Sequence, residues 1–426
     1  MMVRGFTFGA LEGDRSMLRR CTSARGLTGI CLALLAAAAA VLAPASRAAG
    51  PPAVPAEYAD LYTVLAGKLR EANALLAARG ESWHDVTFAA ELLAANGNQG
   101  EVLLRPQQMR AVEVYLDRMQ FAGARGVKVG IKYPLLVDRF PRSAEYLAFY
   151  RRVADEVRRR NLRLLVQMTA LFREPAFSQV PIEGYYAALT LDRYKSEKRQ
   201  MAEAIVREIR PDLLTVENEP QTAATNTGLG ITVAEFAELV RYVTAGLDRG
   251  GVRLGAGTGT WDDVAYVEAL ARIPGLDYVD LHLYPANRDF LTARPLRMAE
   301  IARRSGKRVV IGETWLYKAR DRELTGPPVA AAPALFARDV YGFWEPLDVE
   351  FTTTVGRLSR TAGSDFTSFF WSRHFYGYVD YSEATARLEP AQLFRLANRA
   401  AVANMTADPP RLTVTGQTFR RLSTGR

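Results

Sequence analysis

Cysteine is nearly absent from this chain of 426 residues: it has two, Cys21 and Cys31, both close to the start. Everything beyond position 31 therefore lacks the means for a disulfide framework or thiol chemistry. Histidine is also scarce, with three residues, His84, His282 and His374. No Gly-x-Gly-x-x-Gly element and no P-loop occurs, so the common nucleotide cradles are missing. Extended Lys/Arg runs are missing too, which argues against a nucleic-acid partner. The net charge is +9, and residues 1–48 supply +4 of it through six arginines against Glu12 and Asp14, leaving +5 for the remainder. That balance speaks for general solubility and gives no electrostatic footprint for a polyanion.

A long apolar run appears once, from Gly29 to Ala43, behind the basic residues Arg19, Arg20 and Arg25 and ahead of Ser46-Arg47-Ala48. It is too short for a comfortable membrane span. A basic start, an apolar stretch and small residues at a cleavage site form the pattern of a secretory signal peptide. The expectation is a leader over 1–48, no stable membrane insertion once it is removed, and a product in the periplasm or the medium. Residues 49–57 read as a Pro-rich linker, 58–407 as one domain and 408–426 as a polar C-terminal tail. A monomer is expected.

The domain alternates two kinds of segment. Short β-rich runs occur near 86–93, 127–133, 162–168, 213–216, 252–257, 276–283, 308–311 and 366–371. Between them lie stretches of helical apolar spacing such as 109–122, 144–160 and 194–209, and 391–404 reads as a closing helix. Several strand runs are apolar almost throughout, as parallel strands covered on both faces are. Eight such alternations predict an α/β fold, a (β/α)₈ TIM barrel preceded by an N-terminal helix, and about 375 residues suit it.

Barrels of this kind carry their chemistry at the C-terminal ends of the strands. Strand four runs into Glu217-Asn218-Glu219-Pro220, strand six into His282-Leu283-Tyr284-Pro285, and strand seven into Glu313-Thr314-Trp315. A carboxyl at the end of a buried strand is expensive to desolvate. Two of them at one barrel mouth are the equipment for splitting a glycosidic bond. His282 and Tyr284, two apart, share one face of a strand. Glu217 shares strand parity with Glu219 and reads as a supporting or salt-bridged group. Asp280 reads as a buried partner for a Lys or Arg, and His374 as a candidate for the cleft rim. Trp261, Trp315 and Trp371 fall at or beyond strand ends, where aromatic faces stack on sugar rings, although packing is the default role of any Trp.

Taken in this order, these residues make the chain resemble the clan of retaining (β/α)₈-barrel glycoside hydrolases that includes cellulase-like, galactanase-like and xylosidase-like families. The resemblance covers roughly residues 85–405. It implies Glu219 as acid/base, Glu313 as nucleophile, and Asn218 at the sugar 2-hydroxyl. It further implies His282 and Tyr284 as the pair holding nucleophile and sugar, Trp371 as an aromatic floor, and an oligo- or polysaccharide substrate with β-linkages. Two departures stand out. Lys132 occupies the region where many clan members have an Arg after strand two, and Gln167-Met168-Thr169 stands where cellulase-like members have a His. Lys132 and Trp315 complete the candidate substrate contacts. No cofactor and no metal is expected. The rival readings are a non-catalytic glycan-binding barrel, and a metal-dependent barrel hydrolase built from Glu217, Asp280, His282 and Glu313.

Overall fold

A computed structural model describes residues 52–80, 84–175, 177–284, 291, 293–324 and 333–425. The expected leader, and Pro285 after strand six, lie outside the described residues. Eight parallel strands close on themselves in sequence order. They are β1 Thr87–Glu91, β2 Gly126–Tyr133, β3 Arg163–Ala170, β4 Leu213–Thr215, β5 Arg253–Gly259, β6 Tyr278–Leu283, β7 Arg308–Thr314 and β8 Ser364–Phe369. Each coincides with one of the eight β-rich runs, displaced at the ends by a few residues. Among the described residues no helix is long and apolar enough to cross a membrane.

The barrel interior changes character from bottom to top. Its lowest layer is an apolar plug of Ala89, Leu165, Leu213, Tyr278, Val310 and Phe366. Two residues further along the strands, at the next inward positions, stands a polar belt: Asp280 accepts from Gln167 at 2.7 Å, from Thr215 at 2.7 Å and from the Gly312 amide at 2.8 Å. Asp280 thus takes neutral donors here, and not the Lys or Arg that the sequence suggests. Space for the belt comes from glycine. A Cβ on Gly312 would collide with Gln167 Nε2 and Asp280 Oδ1, and one on Gly255 would collide with the Tyr278 ring.

Ten helices matter for the layer outside: α1 Ala59–Arg79, α2 Gln108–Phe121, α3 Ser143–Arg159, α4 Leu191–Ala204, α5 Val233–Thr244, α6 Ala265–Ala271, α7 Ala293–Arg304, α8 Glu345–Ala362, α9 Pro390–Met405 and α10 Val414–Thr424. Helix α1 docks on α8, where Asn73 binds Thr354 at 2.8 Å and accepts from Arg357 at 3.1 Å. Most of the expected polar C-terminal tail is a helix packed on the barrel layer. Thr413 caps α10, and Phe419 is fully buried against Phe369 at 5.5 Å and Phe375 at 4.5 Å between ring centroids. Ser423 reaches Gly123 beyond α2 at 2.7 Å, while Arg360 of α8 reaches Leu422 at 3.4 Å. Helix α10 therefore bridges the helices that follow β1 and β7. The sequence pattern assigns that closing place to 391–404, a segment that forms the separate helix α9.

Candidate active site

The ends of β4, β6 and β7 carry the groups at the centre of the site. β4 ends at Thr215, and the chain stays paired to β5 for two more residues through Val216 and Glu217. It then turns into the helix Pro220–Thr227, with Glu219 as its N-cap residue and Pro220 in the first turn, where a missing N–H costs nothing. β7 carries an extra residue relative to β6: Leu281 pairs with Ile311, but His282 pairs with Glu313. Gly312 is the inserted residue of a bulge, the kind of device that re-aims a side chain. Strict alternation from Val310 through Gly312 would turn Glu313 away from the interior. The bulge restores it to the mouth.

Glu219 and Glu313 come together as expected. One carboxylate oxygen of each lies within 4.8 Å of the other and of a His282 ring nitrogen. Both carboxylates are partly open to solvent, at 16% and 17%, whereas His282 is 1% exposed. His282 Nδ1 contacts Glu219 Oε1 at 2.6 Å, and its Nε2 lies 2.9 Å from Gln167 Nε2 and 3.1 Å from Asn218 Nδ2. Tyr284 donates to Glu313 Oε1 at 2.8 Å, and Lys128 donates to Glu313 Oε2 at 2.6 Å. The far side of the Lys128 ammonium is taken by Glu91 of β1.

The electrostatics follow from these contacts. Burial pushes the Glu313 carboxyl up, but the charge of Lys128, then that of His282, outweighs it and holds the group down at about 2. Burial opposes a charged His282, yet the bond to Glu219 and the neighbouring carboxylates leave its pKa raised. The Tyr284 hydroxyl is pushed far above its ordinary value, first by burial and then by Glu313, so it remains a donor. Burial also raises Glu91, against the pull of Lys128.

Some expected contacts are corrected. The cation on Glu313 is Lys128, four residues before Lys132. Lys132 instead binds Thr169 and lies 5.6 Å from the Phe172 ring centroid. Trp315 is 1% exposed and packs against His374 and Phe351, leaving no face for a sugar. His374 is buried beneath it and is not on the rim. Trp371 is half-buried against Phe370 at 4.5 Å and the Arg373 guanidinium at 4.0 Å. Phe370 is the ring beside Lys128, at 5.3 Å. Trp261, tilted on Tyr284 at 5.9 Å, and Tyr317, stacked on Tyr284 at 4.3 Å, extend an aromatic wall. Glu217 is salt-bridged, as expected, to Lys198 at 3.0 Å.

Sequence reasoning missed Lys128, Glu91, Gln167 and Phe370. The signal for Lys128 was its parity with Lys132 on a strand buried throughout, and for Glu91 its place at the end of strand one. Glu219, His282 and Glu313 are also the one group of potential cation ligands among the described residues. Lys128 already supplies positive charge to that group, while Glu217 and Asp280 of the metal reading point elsewhere.

No protein-family profile matches the chain, and no curated protein matches it. Solved structures do. The chain is similar to an exo-β-1,4-mannosidase, Op5Man5, from Opitutaceae bacterium strain TAV5, at 15% identity and TM-score 0.52 over 80% of this chain. It spans 59% of that protein's length. A GH5_18 protein from Bifidobacterium longum subsp. longum, solved as a point variant in complex with Manβ1-4GlcNAc, gives 14% identity, TM-score 0.52 and coverage of 80% and 78% of the two chains. A GH5_18 protein from Bifidobacterium longum subsp. infantis gives 11%, 0.53, and 80% and 79%. At such identities the likeness is one of fold, a (β/α)₈ barrel.

Proposed function

We propose that the chain is a retaining glycoside hydrolase that cleaves β-glycosidic bonds, with Glu313 as nucleophile and Glu219 as acid/base. The observation that carries this is the approach of the two carboxylates to within 4.8 Å. Retaining enzymes hold their pair about 5–5.5 Å apart, and inverting enzymes leave about 6.5–9.5 Å for a water. In the first step a Glu313 oxygen bonds to the anomeric carbon as the bond to the leaving oxygen breaks, and the proton of Glu219 goes to that oxygen. In the second, water gives a proton to Glu219, its oxygen bonds to the anomeric carbon, and Glu313 is released. A nucleophile must be ionised, which suits a carboxyl held at about 2. Tyr284 and Lys128 fix one Glu313 oxygen each, and Asn218 stands beside His282 where a sugar hydroxyl would pass.

The substrate class is an oligo- or polysaccharide met outside the cytoplasm, in the periplasm or the medium, after export directed by residues 1–48. β-Mannosides are the first sugars to try, given the names of the similar barrels. The test is trapping with 2-deoxy-2-fluoro glycosyl fluorides of mannose, glucose and xylose, followed by peptide mass analysis. A stoichiometric adduct on Glu313 is expected, and Glu313→Gln takes none while keeping its fold. An adduct on another residue, or full turnover by Glu313→Gln, would remove the assignment.

A further inference from the structure

Lys198 and Glu217 form a fully buried ion pair that the proposed chemistry does not use. Their side chains are 0% and 1% exposed, and their charged atoms are 3.0 Å apart. Lys198 also donates to the Met168 carbonyl of β3 at 2.5 Å, and Tyr194, one turn earlier on α4, donates to Glu217 Oε2 at 2.5 Å. The other Glu217 oxygen accepts the Asn218 backbone N–H at 3.1 Å. Every contact of this carboxylate is thus made either toward the helix layer or to the next peptide.

That arrangement breaks the rhythm of a strand. Thr215 faces the barrel interior, where it binds Asp280 and Tyr278. Regular alternation would bring Glu217 inside and turn Asn218 out. Instead Glu217 points to α4, and Asn218, three residues after Thr215, reaches His282 inside. The Glu217 carbonyl still accepts from Gly257 at 2.7 Å, so the phase changes while the chain is paired to β5.

We infer that the Lys198–Glu217 pair is a positioning device: it draws Glu217 out of the barrel and so carries Asn218 and Glu219 into the cleft together. A buried pair is poor value for stability, since apolar residues of like volume often do as well or better. Its position one residue before Asn218 gives it a geometric task. The inference rests on the reading of Glu219 as acid/base.

The test compares leaving groups. Cleavage of a poor leaving group depends on the acid, while dinitrophenolate departs without a proton. Values of kcat/KM, which report bond cleavage, are measured for dinitrophenyl and phenyl glycosides of the sugar the wild type accepts. Lys198→Met is expected to lose about 100-fold on the phenyl glycoside, the scale of a 1 Å misplacement, and about tenfold less than that on the dinitrophenyl one, where only the displacement of Asn218 is felt. Lys198→Met with Glu217→Gln leaves no unpaired ion and carries the test if the single variant does not fold. Tyr194→Phe is expected to shift the ratio in the same direction, by less. Equal losses on both glycosides, no loss on either, or unfolding of all three variants would overturn the inference. Glu219→Ala is the control. If it shows no leaving-group dependence, or if the wild type cleaves no glycoside, the fault lies with the functional reading and not with the pair.

Discussion

Lys128 holds Glu313 at 2.6 Å from inside the barrel, and the same ammonium is held from behind by Glu91. A single cation therefore serves two carboxylates, one buried on β1 and one at the mouth on β7. Glu313 first and Glu91 second keep Lys128 charged against its burial, and Lys128 in turn holds the Glu313 carboxyl down. A lone ammonium is a point charge with freely rotating donors, so it needs that second anchor more than a planar guanidinium would.

Replacing Lys128 by Met leaves both carboxylates without their cation. Breaking a buried pair by removing one partner costs roughly 3–5 kcal/mol, and the fluorosugar adduct should form on the order of 100-fold more slowly. Thermal melting and the trapping rate check the two effects. Lys128→Met with Glu91→Gln should regain stability without regaining the rate. A variant that traps at the wild-type rate would show that Lys128 does not govern the reactivity proposed for Glu313.

Acid should find the same pair. The Glu313 carboxyl, ordinarily near 4.5, is held at about 2 in the folded chain. A depressed carboxyl contributes stability that is complete above its unfolded pKa and is lost as pH falls through the folded one. Between about pH 4.5 and 2, the wild type should therefore lose urea stability more steeply than Glu313→Gln. Parallel curves for the two proteins would contradict the assigned shift.

Tyr284→Phe deletes the hydroxyl that donates to Glu313 Oε1 at 2.8 Å. A hydrogen bond to a charged group contributes about 1.5–3 kcal/mol. With the fold unchanged by circular dichroism, kcat should fall about 10- to 100-fold. An unaltered kcat would remove Tyr284 from the mechanism.

Phe419 is fully buried between Phe369 and Phe375, so α10 belongs to the domain. Phe419→Ala is expected to cost about 3–5 kcal/mol, read as a lower melting temperature. A loose tail would register nothing.

The eight strands could be read from the sequence because parallel strands buried on both faces leave apolar runs, and these are hard to produce otherwise. Glu219, Glu313, His282 and Tyr284 were legible because strand ends at a barrel mouth are few. What escaped has a common cause. Lys128 and Glu91 are charges set in apolar strands, and their partners lie 185 and 37 residues away from Lys128 along the chain, a separation that periodicity does not report. Trp315 looked like a sugar platform from its place after a strand, and only packing shows that it faces helix α8. Helix α10 reads Thr-Gly-Gln-Thr-Phe-Arg-Arg over 415–421, and its single large anchor is diluted among polar neighbours.

Gly312 performs two tasks at one position. It leaves room for Asp280 and Gln167 below, and it is the surplus residue that returns Glu313 to the mouth. A methyl group there would set the comfort of the polar layer against the aim of the Glu313 carboxylate. The two demands could be reconciled only by shortening both Gln167 and Asp280 in the same step, so drift at this glycine is locked to residues on β3 and β6.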